Sequence, residues 1–124
     1  MLAPSPVFTA SSAVTTSATV AATLTTGTGD SFWYVSGFEL AFGGATAGSI
    51  VNATLSGLLG GTITYPIAVP TGVTTGAFIP VEFPVALIQA AIATPVVLTL
   101  PALGAGNTAA SVALHGFRSA RQFT

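Results

Sequence analysis

The fold of this chain is indicated most directly by residues 32–42, FWYVSGFELAF. Large apolar residues stand at alternate positions of this stretch, and alternation is the side-chain period of a β-strand. The residues of one predicted face are Phe32, Tyr34, Phe38, Leu40 and Phe42, and those of the other are Trp33, Val35 and Glu39. Because both faces carry apolar bulk, we expect a strand at a central position.

The preceding run, residues 13–26, reads AVTTSATVAATLTT and alternates regularly. One face of this predicted strand is mostly small and apolar and the other is mostly Thr and Ser, as expected of a half-buried strand. The inward residues of the prediction are Val14, Thr16, Ala18, Val20, Ala22 and Leu24. Residues 27–30, GTGD, separate the two runs and predict a turn, because Gly and Asp tolerate the positive φ of tight turns.

Beyond residue 42 the chain consists of short runs of Val, Ile, Thr and Phe separated by Gly and Pro. Six of the eight prolines lie between Pro66 and Pro101, where they exclude a long central helix. Pro66 interrupts residues 62–69 and predicts an edge strand or a bulge, since proline lacks the N–H of a ladder hydrogen bond. Residues 85–93, VALIQAAIA, fit either a short helix or irregular structure.

About seven or eight short strands at this spacing are typical of an all-β sandwich or barrel. We expect one antiparallel β-sandwich over residues 13–118, with a jelly roll preferred and an immunoglobulin-like sandwich second. Residues 1–12 are then an extended N-terminal arm, because Pro4 and Pro6 favour extended backbone. Residues 119–124 form a C-terminal tail.

The composition predicts a protein that assembles. Charged residues make up 4% of the 124 residues and hydrophobic residues 51%. A typical soluble domain carries about a quarter charged residues, and a near-neutral surface promotes association. We therefore expect a homo-oligomer, a trimer in the first place, or association with a larger partner. Residues 85–103 are apolar, but Gln89 and Pro95 interrupt them, so we expect no membrane helix.

Few residues could carry acid–base chemistry: they are Asp30, Glu39, Glu82 and a single histidine, His115. Ser111 precedes His115 by four residues, about 13 Å on an extended strand, so the two cannot form a nucleophile–base pair within it. One histidine, no cysteine and three scattered carboxylates do not give a metal-site spacing. The absence of lysine excludes a P-loop. The sequence predicts neither an enzyme nor a cofactor.

The remaining candidates are residues that contact a partner protein. Trp33 and Val35 lie on the second face of the predicted strand, where they pack either in the core or on a neighbouring subunit. Phe8 and Phe123 are aromatic residues of the two terminal segments, and this favours docking over fraying. Two arginines do not neutralise a nucleic-acid backbone, so no nucleic-acid partner is expected. The interface candidates are Phe8, Trp33, Val35, His115, Arg118, Arg121 and Phe123.

Two neutral stretches rich in Gly, Ala, Thr and Leu stand out in the second half of the chain: residues 55–73, LSGLLGGTITYPIAVPTGV, and residues 101–117, PALGAGNTAASVALHGF. In composition they resemble small head-decoration (cement) and minor structural proteins of tailed bacteriophages, and the resemblance extends over residues 13–117. It implies a jelly roll or sandwich that sits on a capsid as a trimer, or between capsomers, and reinforces the shell. The implied location is the virion, and the implied partners are further copies and a major capsid or other virion protein.

Two other binding functions remain open. A carbohydrate-binding jelly-roll module needs Asp, Asn and aromatic residues around a pocket, and Asp30, Trp33 and Tyr34 are the residues that could begin one. A flat-surface binder, such as an ice-binding protein, is suggested by abundant Thr and Ala. The short Thr-containing runs TLT, TIT and LTL recur without a constant period, which disfavours it.

Overall fold

The structure is a computed structural model that describes residues 8–25 and 31–120. All regular elements in these residues are β-strands, which confirms the all-β prediction. The strands are β1 (Phe8–Ser11), β2 (Val20–Leu24), β3 (Ser31–Gly43), β4 (Ser49–Ser56), β5 (Ile63–Val69), β6 (Gly76–Ile88), β7 (Val96–Leu100) and β8 (Ala110–Ala120).

The strands form two antiparallel four-stranded sheets, as expected of a β-sandwich. Sheet A has the order β1-β8-β3-β6, and sheet B has the order β2-β7-β4-β5. The inner faces of both sheets contribute to one apolar core. Its fully buried residues from sheet A include Val35, Leu40 and Leu114, and those from sheet B include Leu55, Leu98 and Leu100.

Strand β3 lies between β8 and β6, which confirms its predicted central position. The strict alternation predicted for it is wrong, because the register shifts between Val35 and Gly37. A bulge adds one residue and moves every later side chain to the opposite face. The inward residues are therefore Trp33 and Val35 before the bulge, and Phe38, Leu40 and Phe42 after it.

Strand β2 is shorter than the strand predicted over residues 13–26. Its inward residues are buried, but Val14 is 69% exposed and belongs to the crossing from sheet A to sheet B. In this crossing Ser17 has a φ of +42°. The Ser17 N–H donates to Asn107 Oδ1 at 3.1 Å, and Ser17 Oγ donates to the Gly104 carbonyl at 2.7 Å. Thr15 and Ala110 also exchange backbone hydrogen bonds, of 3.1 and 2.9 Å. The crossing is thus fixed by one isolated bridge and by hydrogen bonds to residues that are far away in the chain.

The helix considered for residues 85–93 is not formed. Strand β6 continues to Ile88, and Gln89 then turns the chain, with its side chain 1% exposed. Gln89 Nε2 donates to the Thr94 carbonyl at 2.5 Å, which closes the turn. Among the residues that the structure describes, no helix is long and apolar enough to cross a membrane.

The edges of the sheets carry prolines. Pro66 lies in β5, the outer strand of sheet B, which confirms its predicted edge position. Pro80 lies in β6, an outer strand of sheet A. The Gly44 N–H donates to the Thr75 carbonyl, so Gly44 and Thr75, just beyond the ends of β3 and β6, are a hydrogen-bonded pair. Hydrogen-bonded and non-hydrogen-bonded pairs alternate along an antiparallel ladder. Glu39 and Pro80 are therefore a non-hydrogen-bonded pair, and the Pro80 nitrogen faces away from β3. Neither edge offers a donor there to a further strand.

The limits of the sandwich also differ from the prediction. Phe8–Ser11, which falls within the predicted arm, pairs with β8 as the first strand of sheet A. Strand β8 extends into the predicted tail, to Ala120. Four more residues at the start and two at the end are therefore part of the sheet. The alternation that identifies longer strands is too brief to be seen in β1.

Candidate interaction surfaces

Three of the predicted interface residues meet at one end of sheet A. The ring of Phe8 lies edge-on to that of Trp33, with the centroids 5.5 Å apart. The guanidinium carbon of Arg118 lies 5.5 Å from the Trp33 ring centroid, within the range of a cation–π interaction. Trp33 Nε1 donates to the Thr25 carbonyl at 2.6 Å. These contacts hold the Trp33 ring, which projects from β3, against residues of β1 and β8 and against the segment that follows β2.

The burial of these residues separates core from surface. Trp33 is 7% exposed and Val35 is fully buried, so both pack in the core of the sandwich and not on a face open to a neighbouring subunit. Phe8 is 44% exposed and presents apolar area next to Trp33. Arg121 and Phe123 lie outside the described residues. Among the members of the predicted set that the structure describes, Phe8 presents the largest exposed apolar side chain.

His115 links three strands on the outer face of sheet A. Its Nε2 lies 2.8 Å from Glu39 Oε1 on β3, and its Nδ1 lies 3.0 Å from Thr9 Oγ1 on β1. Since His115 itself belongs to β8, these contacts tie the short outer strand β1 to the centre of the sheet. The His115 side chain is 25% exposed.

A hydroxyl, an imidazole and a carboxylate in series are also the groups of an activated nucleophile. The adjoining cavity, of about 410 Å³, is lined by Glu39, Glu82 and His115 but not by Thr9. A molecule in this cavity would meet two carboxylates and not the hydroxyl, so the series is best understood as a structural tie. In the described part of the chain no three His, Asp or Glu side chains are placed to hold a metal ion.

An apolar groove lies at the other end of sheet A. It has a volume of about 650 Å³, and none of its fourteen lining residues is charged. Phe78, Ala41 and Ser111 form one row across β6, β3 and β8, so the small residues are the floor and Phe78 is a wall. Val14 and Val73 complete the walls. Phe78 is 63% exposed, so much of its apolar side chain is open to a molecule in the groove.

A buried amide holds the groove in shape. Asn107 is 3% exposed, and its Nδ2 donates to the carbonyls of Gly43 and Ala109, at 2.8 and 3.2 Å. Its Oδ1 accepts the Ser17 N–H described above. Gly43 and Ala109 both line the groove, while Ser17 follows the loop that supplies Val14. Asn107 therefore joins the segments from which the groove is built.

The outer face of sheet B is neutral and rich in hydroxyl groups. The four strands of this sheet contain no charged residue. Thr99, Thr54 and Thr64 stand in register across β7, β4 and β5, and they form a row of three threonines on the outer face. Among the described residues the charged side chains are Glu39, Glu82 and Arg118, all in sheet A.

Sequence reasoning missed Asn107, Phe78 and the Thr9–His115–Glu39 series. Asn107 stands in a run of small residues that predicts only a loop, and the series joins strands that are far apart in the chain. Alternation over residues 76–88 is the signal that could have placed Phe78 on an outer face, but Pro80 and Pro84 interrupt this stretch of the sequence. Comparison with protein-family models and with curated proteins found no match to this chain.

Proposed function

We propose that this protein is a structural subunit of a bacteriophage virion, a decoration (cement) protein that associates with its own copies and reinforces a shell. The observation that carries the proposal is the neutrality of the exposed surface. No residue that lines the apolar groove is charged, and the four strands of sheet B contain no charged residue. The apolar parts of such a surface, the groove above all, are stabilised by contact with other protein, because water solvates them poorly.

The strand order supports a more specific proposal about the fold, that the β-sandwich is a jelly roll. Strands β1 and β8, β2 and β7, β3 and β6, and β4 and β5 are paired, and successive pairs alternate between the two sheets. This is the pattern of one long hairpin folded over into two sheets, as in a jelly roll. An immunoglobulin-like sandwich has its first two strands in one sheet, whereas β1 and β2 lie in different sheets.

The edges favour assembly through faces and ends. Pro66 in β5 and Pro80 in β6 remove donors from two of the four edges, so a continuous sheet across subunits is disfavoured there. The exposed large apolar residues are the alternative contacts. Val14, Val73 and Phe78 surround the groove, and Leu59 and Ile63 surround a second cavity of about 390 Å³.

Light scattering after gel filtration tests self-association of the full chain. We expect a mass three times that of the chain at micromolar concentration, and a stable monomer would contradict the proposal. Mass spectrometry of purified phage particles tests the virion assignment. We expect the protein there in a fixed ratio to the major shell subunit, and its restriction to the unassembled fraction would contradict the assignment.

A flat-surface binder is the second candidate, because Thr99, Thr54 and Thr64 stand in register. The carbohydrate-binding alternative has less support, since Trp33 faces the core while its neighbour Tyr34 faces outward and stacks on Phe117 at 5.3 Å. Asp30, the third residue of the carbohydrate alternative, lies outside the described residues. Binding on a glycan array that Tyr34→Ala abolishes would favour a carbohydrate ligand at Tyr34. Inhibition of ice recrystallisation that Thr54→Tyr abolishes would favour ice.

A further inference from the structure

The apolar groove and the N-terminal segment lie toward opposite ends of sheet A. Strand β1 begins at Phe8, which is paired with Gly116 on β8. The groove is lined by Ser111 of the same strand, five residues away, or about 17 Å along it. The chain passes from Phe8 toward the groove, so residues 1–7 join β1 at the end that faces away from it.

The segment before Phe8 is unsuited to continue the ladder of sheet A. The Ser12 N–H donates to the Val112 carbonyl at 2.9 Å, and in an antiparallel pair every second residue of β1 donates in the same way. If the ladder continued toward the N-terminus, the next donors to β8 would be residues 6 and 4. These residues are Pro6 and Pro4, which have no N–H to donate. Proline also restricts the residue before it to extended backbone. The sequence MLAPSPV therefore favours an extended arm that carries no charged side chain.

We propose that residues 1–7 of one copy occupy the apolar groove of a second copy. The proposal rests on the self-association proposed above and names the contact that produces it. The groove of the same copy is out of reach. A reversal of the chain takes about four residues, and the remaining three extend about 10 Å, less than the 17 Å required.

The chemistry of the groove matches that of the arm. A floor of small residues, Ala41 and Ser111, beside the exposed ring of Phe78 leaves room for apolar side chains such as Leu2 and for the rings of the prolines. Proline-rich extended segments bind aromatic-lined grooves because little conformational entropy is lost. The volume, about 650 Å³, lies in the range of about 300–1,000 Å³ found for ligand clefts.

The contact also limits how an assembly can close. A contact between the arm of one copy and the groove of the next is heterologous, and such contacts give closed rings or open filaments. A closed ring of any number of copies, two included, fills every groove and uses every arm. The proposed contact is therefore compatible with the expected trimer, and the oligomer mass determines the number of copies.

Because the chain contains no cysteine, disulfide trapping tests the contact directly. One preparation carries Leu2→Cys and another carries Phe78→Cys; the two are mixed, dissociated, reassembled and oxidised. We expect a covalent dimer at least about tenfold more abundant than in a mixture of Leu2→Cys with Val85→Cys. Val85 is the matched control, since it is 78% exposed on the same strand but does not line the groove. Equal yields in the two mixtures would overturn the proposal.

A second measurement does not depend on cysteine placement. Deletion of residues 2–7 leaves β1 intact and should weaken self-association at least about tenfold with an unchanged circular dichroism spectrum. A fluorescent peptide of sequence MLAPSPVF should bind the deleted protein, and Phe78→Ser should weaken that binding about fivefold or more. A deleted protein that keeps the full oligomeric mass would refute arm exchange while self-association stands. A monomeric full chain would instead refute the proposed function.

Discussion

The backbone N–H of Trp33 donates a hydrogen bond to Gln89 Oε1 at 3.0 Å, at the point where β6 ends. The Gln89 N–H in turn donates to the Trp33 carbonyl at 2.8 Å. A side chain therefore completes the pairing of β3 where the neighbouring strand leaves it. Since Gln89 is 1% exposed, neither water nor another residue easily replaces its amide.

We expect Gln89→Ala to lower the free energy of unfolding by about 1–3 kcal/mol, because it leaves the Trp33 N–H and the Thr94 carbonyl without their partner. Urea denaturation at fixed protein concentration measures the change. Asn52→Ala, at an exposed position of β4, is the matched control and should change stability by less than about 0.5 kcal/mol. Equal losses in both variants would count against the structural role of Gln89.

The bulge in β3 brings Gly37 close to β6. A Cβ at this position would lie 2.5 Å from the carbonyl oxygen of Val81, and a backbone atom cannot easily move away. Gly37→Ala should therefore destabilise the protein by about 1–3 kcal/mol, as overpacking does elsewhere. Gly76→Ala is the control, because the nearest atom would be 3.9 Å away. Thermal unfolding of the two variants compares them, and an unchanged midpoint for Gly37→Ala would argue against the close approach.

Stability at high pH should depend on Tyr65, whose ring packs on Phe38 with the centroids 5.1 Å apart. Burial raises the pKa of the Tyr65 phenol, because desolvation disfavours the phenolate. A folded pKa above the unfolded one gives a contribution that is complete below about pH 10 and lost as the pH rises through the folded pKa. The unfolding free energy should therefore fall above about pH 10, and less so in Tyr65→Phe. Parallel pH profiles for the two proteins would exclude this role.

Self-association should change little between about 0.05 and 0.5 M NaCl, a range in which interactions between exposed charges are progressively screened. Burying about 800 Å² per partner, a little over half of it apolar, gives roughly 11 kcal/mol for each partner before the costs of lost rigid-body freedom and ordering. An exposed ion pair gives about 0–1 kcal/mol. Oligomer mass measured against salt concentration tests this, and dissociation at the high end would show that charges dominate.

The sequence was sufficient for the fold class because the alternation in residues 32–42 and the spacing of Gly and Pro are local properties. The faces of β3 could not be assigned throughout, since nothing in VSGF identifies which residue a bulge will add. Val14 continues the alternation of Val20, but a crossing between sheets interrupts the strand. Local pattern does not reveal where the chain must change sheets.

The candidate surfaces were less predictable than the fold. Phe8 was recognised as a possible anchor, yet its contact with Trp33 depends on the pairing of the first strand with the last. The groove is assembled from Val14, Ala41, Val73, Phe78 and Ser111, which are close only in the folded sandwich. Surfaces of this kind follow from long-range pairing, which short sequence windows do not contain.

The pairing of β1 with β8 also has a consequence for how the protein is made. Strand β8 separates β1 from β3 in sheet A, so this sheet cannot be completed until Ala110–Ala120 has left the ribosome. At about 5–20 residues per second, β3 waits several seconds with the backbone groups of one edge unpaired before β8 arrives. The nascent chain is therefore most prone to aggregation in the interval before β8 is available. Chaperones that cover exposed strands should act in that interval.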